Sequence, residues 1–286
     1  MFEVFHVSDL HFGKSENQNR NSLALLQGIL KLYPFEDSEN RYLLVTGDFT
    51  HRAGKKEYQF ALEALLPFKD RIFVTPGNHD YGSLLGTNYS KRKARYFDTH
   101  FAVPLGFTHP FTDKKVFSCQ LDEPGNRLMI IGLSSCTKDI FDFAQGEIGD
   151  RQRTELAELL EITEPQIPKL VYLHHIPHKD AELEFIMTLR DRRELMAIVS
   201  GKVDALAFGH QGKKVEMEMK RRARFTLPGR PMQVRTLPIL SARGKKSTDR
   251  QCIILDADRS VNEQAFYHIT VENNRISATV EKIIST

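Results

Sequence analysis

Cysteine is scarce in this chain, and the three present are badly placed to staple a fold. Cys119, Cys136 and Cys252 are odd in number, far apart and without a CxxC pair. That pattern excludes a disulfide framework and fits buried thiols in a reducing compartment. Long apolar runs are missing as well, since none approaches the roughly 20 residues that span a bilayer. No membrane partner is expected. The opening MFEVFHVSDLH has no basic segment and reaches Glu3, His6 and Asp9 at once, unlike a secretory leader. A cytoplasmic location is the expectation. Repeats, low-complexity tracts and linkers are equally absent, so residues 1–286 read as a single domain.

Charge of one sign is also lacking overall, at a net +3, but it is unevenly spread. Residues 213–235 hold eight Lys/Arg against Glu216 and Glu218, and Lys91, Arg92, Lys93 and Arg95 form an earlier cluster. Each is either a solvated surface run or an attraction for an anionic substrate. The rest is ordinary globular composition, 41% hydrophobic and 27% charged, in a chain long enough for a sizeable core.

What is present alternates. FEVFHVS (2–8), YLLVTGD (42–48) and RIFVTPGNHD (71–80) read as strands running into loops. Helical spacing over 22–33 and 55–66 lies between them, stopped by Pro34 and Pro67. This βαβαβ start predicts a parallel sheet with helices on its faces. Residues 115–135 form a hairpin around DEPGN. A helix near 150–162, strand 169–175, a helix near 181–199 and strand 203–210 restore the alternation. From about 213 the chain reads as β, with segments near 214–219, 231–239, 251–256, 263–271 and 274–284, the last two joined by a turn at Asn273. The fold class expected is α/β, built around two sheets.

The informative residues sit at strand ends: Asp9 and His11, Asp48, Asn78 with His79 and Asp80, His174 and His175, and His210. In open α/β sheets ligands bind beyond the carboxyl ends of the strands. Carboxylate and imidazole suit Zn, Mn, Fe or Ni, and a carboxylate can bridge two ions. Singly, each motif is as well explained by a turn or a solvated pair. Together, DxH, GD, GNHD, HHxP and GH in this order after successive strands point to a two-metal site.

On these residues the chain resembles the calcineurin-like metallophosphoesterase superfamily. The stretch from Val45 to Asp80 is most similar to its small prokaryotic phosphodiesterase branch, which includes cyclic-nucleotide phosphodiesterases. The resemblance implies a four-layer αββα sandwich with two mixed sheets and the metal site at the strand C-terminal ends. It implies two divalent transition metals, Mn, Fe, Zn or Ni. Asp9 and His11 would bind the first, Asp48 would bridge, and Asn78, His174 and His210 would complete the second. His174 is taken as the ligand of the pair, with the reverse assignment to His175 left open. His79 would assist the leaving oxygen, Asp80 would orient its ring, and Arg52 would contact a phosphate oxygen. One departure stands out. Gly212 occupies the place of the second histidine of the family's GHxH, so a weaker first site is expected, with Gln211, His51 and His178 as conceivable replacement donors.

The activity implied is metal-dependent hydrolysis of a phosphorylated small molecule or nucleotide, by a phosphodiesterase or phosphatase whose nucleophile is a metal-bridging water or hydroxide. Residues 81–100 and 211–248 read as loops that set substrate choice. Two alternatives remain. A nuclease of the same superfamily is suggested by SDLHFG, although a nucleic-acid partner is less favoured because Phe225 is the only aromatic in the basic run. A binding or scaffold protein with a weakened metal centre is the other.

Overall fold

The computed structural model describes residues 1–83, 88–137, 145–177, 189–210, 232–240, 246–257 and 260–283. Strand β1 (Phe2–Val7) leads to helix α1 (Glu16–Leu32), which starts six residues before the hydrophobic periodicity does. Its first turns, ENQNRN, are polar and carry no periodic signal; the start is set by Ser15, whose hydroxyl accepts from the Gln18 amide at 3.1 Å. Strand β2 (Arg41–Val45), helix α2 (Lys55–Leu65) and strand β3 (Ile72–Val74) follow. Asn78 opens the one-turn helix α3 (Asn78–Tyr81). A two-residue ribbon, β4 (Gly82–Ser83) with β5 (Asn88–Tyr89), comes next.

Residues 91–105 are helical rather than loop. Helix α4 (Lys91–Phe97) runs on through a π turn and a 3-10 turn to Gly106, whose φ of 100° ends it. Its basic start hid a buried face of Ala94, Phe97, Phe101, Ala102 and Leu105. Strands β6 (Phe117–Glu123) and β7 (Asn126–Gly132) form the expected hairpin, turning at Pro124 and Gly125, the latter at φ 80°. Helix α5 (Asp150–Ile162), strand β8 (Lys169–Tyr172), helix α6 (Arg192–Val199) and strand β9 (Ala205–Phe208) follow, α6 covering the end of the helix expected near 181–199. Strands β10 (Arg235–Leu240) and β11 (Lys246–Asp256), the short helix α7 (Ser260–Glu263), and strands β12 (Ala265–Glu272) and β13 (Arg275–Lys282) end the chain. Asn273 and Asn274, both at positive φ, make the predicted final turn. The segment near 214–219, Gln211, Gly212, His178 and most of the basic run lie outside the described residues.

Two mixed sheets result, ordered β13-β12-β1-β2-β3 and β10-β11-β9-β8-β7-β6. Each has a run of parallel strands, β1–β2–β3 reaching one edge of the first sheet and β7–β8–β9–β11 inside the second, and the remaining pairings are antiparallel. The β-rich tail completes both, β10 and β11 joining the second sheet and β12 pairing with β1 in the first.

Strand parity divides the core into three layers. Phe2 and Val4 of β1 and Leu44 of β2 pack between the sheets against Leu128, Ile130, Leu170 and Tyr172. The alternate residues Phe5, Val7, Leu43 and Val45 face α1, α2 and α4. On the other side Ile131, Val171, Leu206 and Phe208 pack against α5 and α6. The order is therefore helix, sheet, sheet, helix, as expected. Helices cover both outer faces, so the ends of the parallel strands are the open places where polar side chains can gather.

Candidate metal centre

The ends of β1 and β2 stay in step after the strands finish. The Asp9 amide donates to Gly47 O at 3.1 Å, His11 to Asp48 O at 2.8 Å, and Phe12 to Phe49 O at 2.8 Å. Within this paired turn Asp9, His11 and Asp48 adopt φ of 58°, 48° and 55°, and His210 beyond β9 adopts 73°. Left-handed backbone is unusual for residues other than glycine and marks functional positions when surrounding structure enforces it. Here glycines make the room. A Cβ on Gly77 would lie 2.1 Å from Asp48 Oδ1, and one on Gly209 would lie 2.5 Å from Asp9 Oδ2.

The predicted donors converge. Asp9, His11 and Asp48 bring ligand atoms within 4.8 Å of one another, as do His174, His175 and His210. His11 Nε2 lies 3.7 Å from both Asp9 Oδ1 and Asp48 Oδ2. The other Asp48 oxygen, Oδ1, is 3.5 Å from His174 Nε2. One carboxylate thus faces both groups, the arrangement a bridging ligand needs. His174 Nε2 also lies 3.1 Å from Asn78 Oδ1 and 3.0 Å from His210 Nδ1. The His210 amide, donating to Asp9 Oδ2 at 3.1 Å, ties the two halves together.

Residues 2–214 match the calcineurin-like phosphoesterase family. The chain belongs to that family. The chain is 24% identical over 225 residues to 3',5'-cyclic adenosine monophosphate phosphodiesterase CpdA of Haemophilus influenzae, covering 76% of this chain and 72% of that protein. Among solved structures, purple acid phosphatase PPD1 from yellow lupin superposes with a TM-score of 0.60 at 14% identity, covering 98% of this chain and 51% of its own. A putative 5'-nucleotidase from Staphylococcus aureus gives 0.53 at 14% identity, covering 100% of this chain and 55% of its own. The chain therefore spans about half the length of these two structures, and the likeness is one of fold.

In this metallophosphoesterase the donor chemistry fits divalent ions. Thr46 O accepts from His174 Nδ1 at 2.6 Å, which orients the ring so that Nε2 is the nitrogen turned to Asp48, Asn78 and His210. Burial pushes the Asp9 carboxyl up to about 6, and the charge of Asp48 adds to the effect. Burial acts to raise Asp48 too, but the imidazoles of His174, His79, His11 and His210 outweigh it and hold that carboxyl well below the usual range. Two buried acids and four imidazoles facing one another are the set a pair of cations would bring to balance.

Asp80 has a different place from the one expected. Its carboxylate accepts from the Gly77 amide at 2.9 Å, the Thr50 amide at 3.0 Å and the Thr50 hydroxyl at 3.1 Å. It knits the GNHD turn to the TGDFT turn and does not touch the His79 ring. That ring is oriented by the His51 carbonyl, which accepts from His79 Nδ1 at 2.7 Å. Full burial, with Asp48 nearby, pushes Asp80 up to about 7. The His79 amide donates to Asp48 Oδ1 at 2.9 Å. Arg52 is exposed, and its backbone is held by Glu57 and Lys93.

Of the adjacent histidines, His174 is the one facing Asp48 and Asn78. His175 is also buried and bonds Ser135 Oγ through Nδ1 at 2.7 Å. Two supporting residues escaped the motif reading. Thr46 braces His174 through its carbonyl and meets the buried His6 at 2.9 Å through its hydroxyl. Ser135 accepts from the amides of His174 and His175. A hydroxyl residue just before GD and a Ser-Ser pair at a strand end were the signals available.

Proposed function

We propose that the chain hydrolyses phosphoesters of the nucleotide class, with a small phosphodiester as substrate. The observation that carries this reading is Asp48, whose two carboxylate oxygens face two separate donor groups 3.5 and 3.7 Å away. When bound there, a pair of divalent ions supplies Lewis-acid charge and an activated water. Asp9 and His11 would hold one ion, Asn78, His174 and His210 the other, with Asp48 shared.

His79 is the residue we assign to the leaving group. Its Nδ1 donates to the His51 carbonyl, so Nε2 is the nitrogen available to deliver a proton to the departing oxygen. A new P–O bond forms from water as the P–O bond to the leaving oxygen breaks. Asp80 acts through the backbone, holding Asn78 and His79 in register with Asp48. Arg52 is placed beside His51 and would meet a phosphate oxygen. A nucleotide diester agrees with the name of the Haemophilus influenzae relative.

The test is turnover of bis(p-nitrophenyl) phosphate and 3',5'-cyclic AMP by the Mn-loaded chain. Activity that depends on metal and disappears in Asp48→Ala supports the reading. A metal-loaded chain silent on a broad phosphoester panel would sink it.

A further inference from the structure

A third histidine group lies against the first-sheet half of the centre. His11, His51 and His79 each offer a ring nitrogen, and these lie within 4.8 Å of one another. The His51 ring stacks on His79 at 5.3 Å and 19° between planes. His11 stands edge-on to both, 4.7 Å from His79 and 5.8 Å from His51. His51 has no part in the donor groups around Asp48.

The backbone holds this trio firmly. The His51 amide donates to Phe12 O at 3.0 Å, and the His51 carbonyl takes His79 Nδ1. One residue on, the Arg52 carbonyl accepts from Lys93 Nζ at 2.6 Å and the Arg52 amide donates to Glu57 at 2.8 Å. Lys93 also donates to Gly82 O at 2.9 Å, so the loop carrying His51 is tied to the segment after α3. The Nδ1 atoms of His11 and His51 are both buried without a hydrogen-bond partner. A buried nitrogen in that state is destabilising unless something meets it.

We propose that His11, His51 and His79 form a three-imidazole site for a borderline divalent metal such as zinc. It shares His11 with the Asp9–Asp48 group, and filling it blocks hydrolysis. Three imidazoles without a carboxylate favour Zn, Ni or Cu over Mn or Mg, the reverse of a carboxylate-rich group. An ion there engages His79 and draws His11 from the hydrolytic set. The blocking rests on the function proposed above; the binding does not.

The experiment is zinc titration of the Mn-loaded chain, reading bound zinc per chain after equilibrium dialysis and, separately, turnover of bis(p-nitrophenyl) phosphate. His51→Gln should hold about one equivalent of zinc less and require roughly tenfold more zinc for half-inhibition. Arg52→Ala should bind zinc as the wild type does. On an Asp9→Asn background, His51→Gln should still remove one equivalent, because the site stands on imidazoles. Identical zinc content in wild type and His51→Gln overturns the site; lower content with an unshifted inhibition curve overturns the blocking. Wild type that takes up His51-dependent zinc but never turns over substrate supports the site and refutes the hydrolase reading. If His51→Gln melts early, His51→Phe keeps the stack on His79 without a ligand nitrogen and replaces it.

Discussion

The two halves of the centre are built to different standards. On the second sheet, His174 and His210 are 0% and 3% exposed, and His174 is braced through Thr46 and Ser135. On the first sheet, Asp9 and Asp48 carry the charge, His11 keeps 13% of its side chain open, and His51 and His79 are half-buried beside it. One half is closed and built on imidazoles; the other holds the two carboxylates and is partly open at His11, His51 and His79. A closed imidazole group should hold its ion persistently, and an open carboxylate group should exchange it. Asp48 belongs to both halves.

Removing that shared residue should have the largest effect. Asp48→Ala is expected to lose roughly three orders of magnitude in kcat, about 4 kcal/mol of barrier, together with metal from both halves. Metal content and turnover measured on the same sample check this; an intact metal count would break the picture of a shared carboxylate. Next comes the asymmetry itself. Asp9→Asn and His174→Ala should each cost about a hundredfold, roughly 2.7 kcal/mol. Excess Mn should restore much of the Asp9→Asn loss and little of the His174→Ala loss, and equal rescue would erase the contrast.

A smaller effect is expected at the seam. Asp80→Asn keeps the volume but turns an NH2 toward donors that now meet a carboxylate. Melting should fall by an amount worth about 1–3 kcal/mol, with kcat down roughly tenfold. Unchanged melting with altered rate would mean that Asp80 acts on the chemistry directly.

The effect that should leave turnover least changed lies at His6, bonded to Thr46 on the first sheet, where burial lowers the imidazole to about 3 from its usual 6.5. The folded state keeps His6 neutral while the unfolded chain takes up a proton between those values. Its contribution is therefore full above pH 6.5 and is lost as pH falls toward 3. Denaturant midpoints at pH 7 and pH 4.5 should differ less in His6→Gln than in wild type. The difference is expected to reach at most about 3 kcal/mol, and parallel curves would remove His6 from the account.

Much of this arrangement was readable in the chain because strand ends are where polar motifs interrupt apolar runs. Asp9, His11, Asp48, Asn78, His174 and His210 each follow such a run, and the folded strands bring all six together. What escaped the sequence was packing by residues with no chemical signature of their own. Thr46 acts through a carbonyl, which every residue has. Asp80 was assigned to a side chain one position away, yet it reaches back to Phe49 and Thr50, whose nearness depends on β2 and β3 pairing. Helix α4 was hidden because four basic residues at its start mask its apolar face. Those cations sit at a helix start, where the dipole disfavours them, and Lys93 is turned to the Arg52 and Gly82 carbonyls.

The left-handed backbone at Asp9, His11, Asp48 and His210 carries a consequence for descent. Such positions cost of order 1–3 kcal/mol each for most side chains, and less for Asn, Asp and His, which enter this region more readily than other non-glycine residues. A lineage that abandoned catalysis would relax the backbone by drifting to Gly or Asn at these four sites, but losing Asp9 or Asp48 would leave the His210 or His79 amide without its carboxylate acceptor. Two aspartates and two histidines there thus set backbone strain against the bonds and donor atoms that they supply.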